Sequence, residues 1–189
     1  MSILKRQPIT ILYLEDDPAA AAMFRERLIY GNDPSMEFEV ECVESLKAGL
    51  ERLSRGGIDA VLTDLKLTDS EGLGTFLRIH AHAPQMPIIV FTGSYAEEEL
   101  GTKAIQQGAQ DYPVKGEVDG KLLSHVIRYA IERKRVEAAL QAVNEELKAK
   151  LNELERLTHV MMNREERILE LKEEVERMRA ELQGRKEPP

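Results

Sequence analysis

The segment "ILYLEDDPAA", residues 11–20, joins an apolar run to three consecutive acids. The apolar run is typical of a buried β-strand, and it ends abruptly at Glu15, Asp16 and Asp17. Carboxylates packed side by side repel one another, which is unfavourable unless a cation lies among them. The segment therefore predicts a strand whose carboxyl end carries a cation-binding cluster.

Similar apolar runs recur along the first two-thirds of the chain, and helix-like segments separate them. The apolar runs lie at residues 9–14, 38–43, 58–65, 87–92 and 111–114. The helical patterns lie at residues 18–30, 45–55, 71–82, 95–107 and from about residue 118 onward. This alternation predicts an α/β fold with a five-stranded parallel sheet, doubly wound, so that helices cover both faces. We place this domain at residues 8–132.

Composition narrows the class of protein. The chain has 189 residues, 32% of them charged, and a formal net charge of −8, which does not favour nucleic-acid binding. Cys42 is the single cysteine, and neither a signal peptide nor a membrane-spanning apolar stretch is evident. We therefore expect a cytoplasmic protein without direct membrane contact. Because Cys42 alternates with Phe38 and Val40, we expect its thiol to be buried.

Residues 133–183 follow a seven-residue repeat of apolar positions. A strip of two apolar residues per heptad needs a partner helix to bury it, which predicts a dimerising coiled coil. β-branched Ile168 and Val175 at one core position, with Leu171 at the other, favour a parallel homodimer. The first core position holds Leu140, Leu147, Leu154, Met161, Ile168, Val175 and Leu182, and the second holds Val136, Val143, Leu157, Leu171 and Met178.

Two cations interrupt the second core position of this repeat. Lys150 and Arg164 would weaken the packing of the coiled coil but can specify its register. A single helix folded back as an antiparallel hairpin is the alternative, although no glycine or proline turn occurs before Gly184. We expect residues 184–189 to form a disordered tail.

Polar side chains follow the ends of several predicted strands. Asp64 ends the third run, Thr92 ends the fourth, and the last run leads to Lys115. In a doubly wound sheet such strand ends line the crevice where ligands bind. Carboxylates suit a hard divalent cation such as Mg²⁺, and Thr92 and Lys115 suit an anion that shares the metal. A phosphoryl group fits best, because its charge needs both a metal and a cationic donor.

Four motifs in this order resemble the receiver domain of two-component response regulators, the CheY-like superfamily. They are "LEDD", "VLTDLKLTDSEG", "IIVFTGS" and "GAQDYPVKG", and the resemblance covers about residues 8–130. It implies a flavodoxin-like fold. It also implies that Asp64 is the phosphoacceptor, which receives a phosphoryl group from a histidine kinase or a histidine phosphotransfer protein.

The resemblance implies a set of metal ligands as well. Glu15 and Asp16 match the acidic pair that holds Mg²⁺ together with Asp64, and the backbone carbonyl of Lys66 would supply a further ligand. The side chain of Lys66 stands at a position that tunes the lifetime of the phosphoryl group. Asp17 matches the variable position beyond the acidic pair, and we expect it to cap the following helix or to face solvent.

The remaining matched residues would contact the phosphoryl group or change position on activation. Thr92 matches the hydroxyl that bonds the phosphoryl oxygen, Lys115 the lysine that neutralises it, and Tyr112 the aromatic residue that repositions on activation. Two departures stand out, because Thr68 and Gly116 occupy positions where the family usually has proline. We expect these departures to alter the phosphoryl lifetime without abolishing the chemistry.

We interpret the chain as a response regulator of a phosphorelay that signals through a dimeric coiled coil. It would not be an enzyme beyond catalysing its own phosphorylation and dephosphorylation. Two alternatives stay open. The chain would be a fragment or relative of a hybrid sensor kinase, with the coil as a linker, or it would be a coiled-coil scaffold whose receiver is never phosphorylated.

Overall fold

The computed structural model describes residues 8–31, 36–93, 98–115 and 118–184. The chain divides into two compact units, residues 1–138 and 139–189. The first unit contains the α/β sheet, and the second contains the C-terminal part of the last helix. The predictions for Gly116 and for residues 185–189 lie outside the described residues.

Strands and helices alternate through the first unit in the predicted order. The strands are β1 (Ile9–Leu14), β2 (Phe38–Val43), β3 (Ala60–Asp64), β4 (Lys66–Leu67), β5 (Ser70–Glu71) and β6 (Ile88–Phe91). The helices are α1 (Pro18–Gly31), α2 (Leu46–Leu53), α3 (Leu73–His82), α4 (Glu98–Gln106) and α5 (Gly120–Gly184).

Four of the strands form one parallel sheet in the order β2-β1-β3-β6. β1 lies between β2 and β3, with Leu14 opposite Val43 on one side and Thr63 on the other. Both β1 and β3 are apolar along most of their length, which suits central strands that are buried on both faces. This register brings the carboxyl ends of β1, β3 and β6 to the same edge of the sheet.

The predicted fifth strand is present only as isolated bridges. Asp111 pairs with Ile89 and Val114 pairs with Thr92, both in parallel orientation. Pro113 lies between them and has no N–H group to donate, so a continuous ladder cannot form there. Its carbonyl still accepts a hydrogen bond from the Thr92 N–H group, at 3.2 Å. The expectation of five full strands is therefore not confirmed within the described residues.

Two apolar cores lie on opposite faces of the sheet, so helices cover both faces as predicted. Alternate residues of β1 point to different cores, as the two-residue period of a strand requires. The core beneath α1 and the first turns of α5 includes Ile11, Tyr13, Phe24, Leu28, Phe91 and Ile127. The core beneath α2, α3 and α4 includes Leu12, Leu14, Leu46, Phe76, Ile79, Val90 and Ala104.

A short antiparallel hairpin of β4 and β5 follows β3, and the sequence patterns did not predict it. Lys66 pairs with Glu71, and Leu67 pairs with Ser70. Gly72 then adopts a φ of 65°, a left-handed conformation that favours glycine, and its N–H group donates to the Leu65 carbonyl at 2.7 Å. The hairpin and this turn hold together the loop that begins just after Asp64.

Cys42 is exposed, so the prediction of a buried thiol is wrong. It lies near the carboxyl end of the edge strand β2, where an open depression beside Pro18 and Ala22 leaves it uncovered. Phe38 and Val40 in the same strand are buried, as expected. The alternation of buried and exposed side chains in β2 therefore holds only where a helix covers the strand.

The last helix, α5, runs without interruption from Gly120 to Gly184. This confirms the predicted long helix and contradicts the folded-back hairpin, because no turn breaks the helix. Its predicted core positions are exposed in the single chain, as Leu140 at 62% and Leu147 at 64% illustrate. The coiled coil itself stays a prediction. No helix within the described residues combines the length and the hydrophobicity needed to cross a bilayer.

Candidate functional site

Polar side chains gather at the carboxyl edge of the sheet. Glu15 directly follows β1, Asp64 is the last residue of β3, and Thr92 directly follows β6. Since β1, β3 and β6 are neighbours in a parallel sheet, these positions lie side by side. The structure thus brings together side chains from positions 15, 64 and 92 of the chain.

Lys115 connects two of the carboxylates. Its Nζ atom lies 2.5 Å from Oε2 of Glu15 and 2.7 Å from Oδ2 of Asp64. Its backbone N–H group donates to the Thr92 carbonyl at 2.8 Å, which fixes where the side chain starts. The sequence-based prediction that Lys115 meets the acidic cluster is matched by these contacts.

The charge of Lys115 is stabilised by its surroundings. Burial alone would lower its pKa, because burial disfavours the charged form of an amine. The hydrogen bonds and the negative charges of Asp64 and Glu15 outweigh burial, so the pKa of Lys115 lies above its ordinary value. The ammonium group therefore remains charged and available to an incoming anion.

Glu15 is almost fully buried, with 2% of its surface exposed, and it has a second donor that the sequence patterns did not reveal. The hydroxyl of Tyr13 donates to the same Oε2 atom at 2.6 Å. Burial above all, and then the hydrogen bond and charge of Glu15, raise the pKa of Tyr13, so that the hydroxyl stays protonated. The two-residue spacing in β1 is the signal that could have found this pair.

Besides the contact of its Oδ2 atom with Lys115, Asp64 is held at its backbone and at its other carboxylate oxygen. Its Oδ1 atom accepts a hydrogen bond from the Lys66 N–H group at 3.1 Å, and its carbonyl accepts one from the Thr63 hydroxyl at 2.7 Å. The side chain is 15% exposed. The carboxylate is thus oriented by the protein yet reachable from solvent, which suits a nucleophile.

The two acids after Glu15 differ in their surroundings. Asp17 is exposed, and its Oδ1 atom accepts a hydrogen bond from the Ala19 N–H group at 2.9 Å at the start of α1. This confirms the prediction that Asp17 caps the helix. Asp16 is half-buried beside Glu15.

The donor set suits a hard cation. Within the described parts of the chain, no group of three His, Cys, Asp or Glu side chains is arranged to enclose a metal ion. Mg²⁺ does not need such a cage, because it usually keeps several waters and uses one or two carboxylates. Glu15, Asp16 and Asp64 offer only oxygen atoms, so the chemistry of the residues fits Mg²⁺.

Thr92 and Tyr112 occupy different environments. Thr92 is fully buried, and its Oγ1 atom has no hydrogen-bond partner among the described residues. A buried hydroxyl without a partner is costly and is available to a ligand. Tyr112 instead packs against α4, where a Cβ atom added to Gly101 would lie 2.5 Å from Cδ2 of its ring. The structure places Thr92 at the site and Tyr112 against the neighbouring helix α4.

Asp69 connects the loop that follows Asp64 to α2, and the sequence patterns missed it. Its carboxylate accepts hydrogen bonds from the N–H groups of Leu46, at 2.8 Å, and Lys47, at 2.9 Å, at the start of α2. The bond from Lys47 is the main cause that lowers the pKa of Asp69. Thr68, where the family usually has proline, is exposed in the adjacent hairpin turn.

Comparisons with known proteins agree with this geometry. Residues 11–127 match the model of the family described as response regulator receiver domain. The transcriptional regulatory protein GlrR of Escherichia coli is 29% identical over 130 residues, which are 69% of this chain and 28% of that protein. The response regulator protein FleR of Pseudomonas aeruginosa is 29% identical over 121 residues, 64% of this chain and 24% of that protein. The chain thus spans about a quarter of the length of these relatives.

Solved structures extend the similarity to three dimensions. A response regulator receiver domain protein from Clostridium thermocellum has a TM-score of 0.57 at 27% identity, covering 68% of this chain and 98% of that one. A CheY-like receiver domain protein from Methanospirillum hungatei has a TM-score of 0.56 at 26% identity, covering 69% and 99%. The family match spans more than half of the chain, and the fold agrees with it. The chain therefore belongs to the family of response regulator receiver domains of two-component systems.

Proposed function

We propose that this chain accepts a phosphoryl group on Asp64 from a histidine kinase or a histidine phosphotransfer protein. The observation that carries the proposal is the position of Lys115, whose Nζ atom is within hydrogen-bond distance of both Glu15 and Asp64. A charged amine between two carboxylates can turn to a phosphoryl oxygen when the phosphoryl group reaches Asp64. Receiver domains in general have such kinases and phosphotransfer proteins as partners.

The chemical step is a nucleophilic displacement at phosphorus. An oxygen of Asp64 attacks, a new P–O bond forms, and the bond to the imidazole nitrogen of the donor breaks, leaving its electron pair on that nitrogen. Lys115 donates to an oxygen of the transferred group and balances its charge. The unpartnered Thr92 hydroxyl donates to another oxygen, which removes the cost of leaving it buried without a partner.

A divalent cation belongs to this proposal. Glu15, Asp16 and Asp64, with the backbone carbonyl of Lys66, would hold Mg²⁺. When bound, Mg²⁺ neutralises charge on the phosphoryl oxygens and so lowers the repulsion between them and the attacking carboxylate. The chain would act on no other substrate, since its chemistry is its own phosphorylation and the hydrolysis that reverses it.

The output that we propose is a parallel homodimer through the coiled coil of α5. The exposed apolar positions support it, because side chains such as Leu140, Leu147 and Leu154 are more than half exposed in the single chain. Phosphorylation at Asp64 would change the packing of the first turns of α5 and thereby the pairing of the coil. Spin labels on the coil test this, and interhelical distances that do not change on phosphorylation would contradict it.

We propose a cytoplasmic setting without contact to nucleic acid or membrane. The net charge of −8 supports this, because an acidic surface repels both phosphate backbones and anionic lipids. Partners of the coil would then be proteins, either a second copy of the chain or a downstream helix.

Intact-mass spectrometry after incubation with acetyl phosphate and Mg²⁺ tests the phosphoacceptor directly. We expect one added phosphoryl group in the wild-type chain and none in Asp64→Asn, which keeps the shape of the side chain but not its nucleophilicity. Omission of Mg²⁺ should also prevent the addition. A folded wild-type chain that gains no mass, even in short pulses that capture a rapidly hydrolysed product, would favour the scaffold instead.

A further inference from the structure

Tyr13 carries a hydroxyl in a largely apolar strand, and the proposed phosphoryl transfer does not use it. Its ring is 2% exposed and packs against Phe24, at 4.3 Å between ring centroids, and Phe91, at 5.9 Å. A leucine or phenylalanine would fill this aromatic cluster equally well. What distinguishes tyrosine is the hydroxyl, and this hydroxyl reaches Glu15.

The bond between Tyr13 and Glu15 is a charge-assisted one in a buried place. The two oxygens are 2.6 Å apart, in the range of O–H···O⁻ bonds, which are about twice as strong as neutral ones. Glu15 needs such a partner, because a carboxylate that is 2% exposed has lost most of its contact with water. Tyr13 lies in β1 and Glu15 directly follows it, and a two-residue spacing along extended chain puts both side chains on the same side.

Tyr13 and Lys115 both donate to Oε2 of Glu15, and they differ in their other contacts. Lys115 also donates to Asp64, so its side chain must change partners when a phosphoryl group arrives. Lys115 and Tyr13 also line one small cavity, which places the two donors of Glu15 next to each other. The Tyr13 hydroxyl donates to Glu15 alone among the hydrogen bonds of the described residues, and it keeps this bond.

We propose that Tyr13 is a positioning residue for magnesium binding, and that its hydroxyl keeps the Glu15 carboxylate oriented towards the metal while Lys115 moves to the phosphoryl group. The inference rests on the proposed function, because Glu15 is taken as part of the metal site. It adds a residue outside the acidic cluster on which the affinity for Mg²⁺ depends. Tyr13 itself touches neither the metal nor the phosphoryl group.

Tyr13→Phe is the variant that tests this, because it removes only the hydroxyl and keeps the ring. Calorimetric titration of the full chain with MgCl₂, without any phosphodonor, should show a dissociation constant raised roughly tenfold or more, the cost of one hydrogen bond to a charged group. With acetyl phosphate present, the Mg²⁺ concentration for half-maximal phosphorylation should rise by the same factor. The rate at saturating Mg²⁺ should match that of the wild type.

Phe24→Leu is the matched control, since it disturbs the same aromatic cluster without touching a hydroxyl. We expect a lower melting temperature for this variant but an unchanged dissociation constant for Mg²⁺. The inference is overturned if Tyr13→Phe binds Mg²⁺ as tightly as the wild type, if Phe24→Leu weakens binding equally, or if the wild type binds no Mg²⁺. A wild type that binds Mg²⁺ but is never phosphorylated contradicts the proposed function alone, because the calorimetric comparison still tests Tyr13.

Discussion

The two units of this chain contain similar apolar residues but bury them differently. In the first unit, Phe76 and Ile79 of α3 are fully buried against the sheet. In the second unit, Leu147 and Leu154 are 64% and 61% exposed, although they recur with equal regularity. Apolar side chains are thus buried within one chain in the first unit, whereas in the second unit the proposed coiled coil would bury them against another helix.

The largest effect that this contrast predicts is on assembly. Leu147→Asp combined with Leu154→Asp should convert the proposed dimer into a monomer, because each of the four leucines lost per dimer would contribute about 2 kcal/mol. Sedimentation velocity at micromolar concentration measures the change. The stability of the first unit should be unaffected, since neither residue belongs to its cores.

A matched control separates lost packing from added charge. Gln141→Glu combined with Asn152→Asp adds the same two charges at positions outside the heptad core. This variant should remain dimeric. If instead the double leucine variant remains dimeric as well, the coil is not what joins two chains.

The next effect concerns the self-contained unit. Phe76→Ala should lower the free energy of unfolding by about 3–5 kcal/mol, because a fully buried aromatic side chain is lost and a cavity remains. Leu77→Ala, at a neighbouring position that is 42% exposed, should cost much less. Urea denaturation followed by circular dichroism distinguishes the two, and equal losses would contradict the assigned packing of α3.

The smallest effect lies in a contact between distant parts of the first unit. Asp69→Ala should lower the free energy of unfolding by about 1 kcal/mol, since two N–H groups at the start of α2 lose their acceptor. Asp69→Ala should also speed hydrogen exchange in residues 65–72, because this segment loses its attachment to α2. Mass spectrometry of the matching peptide measures this exchange.

Ser45→Ala is the control for that loop effect. Ser45 caps the same helix by accepting a hydrogen bond from the Ala48 N–H group, at 3.2 Å, and this bond lies within the start of the helix. Ser45→Ala should lower the free energy of unfolding by a similar amount and leave hydrogen exchange in residues 65–72 unchanged. Faster exchange in both variants would mean that Asp69 acts only through the helix.

Local patterns were sufficient to predict most of the first unit. The parallel strands, the covering helices and the meeting of Glu15, Asp64 and Lys115 all follow from apolar runs that end in polar residues. Patterns failed where a single residue decided the outcome. Pro113 reduced the fifth strand to two bridges, because ladder formation depends on each N–H donor.

The residues that sequence reasoning missed are those that act through long-range or side-chain contacts. Asp69 meets the start of α2, which is 23 positions earlier in the chain, and no periodicity reports such a contact. Tyr13 was counted as apolar because its position is apolar, and only the distance from its hydroxyl to Glu15 shows a polar role. Cys42 followed the alternation of its strand but lies where no helix covers it.

The sequence by itself determined the class of fold, the acids and the lysine of the site, and the length of α5, because these depend on short-range periodicity and on residue type. Only the tertiary structure decided which donors bind each carboxylate and which oxygen of Glu15 is shared by Tyr13 and Lys115. It alone also showed that the Thr92 hydroxyl lacks a partner among the described residues. The physical reason is that hydrogen bonds depend on distances of a few tenths of an ångström. Such distances are set by the packing of the whole sheet and not by any one segment.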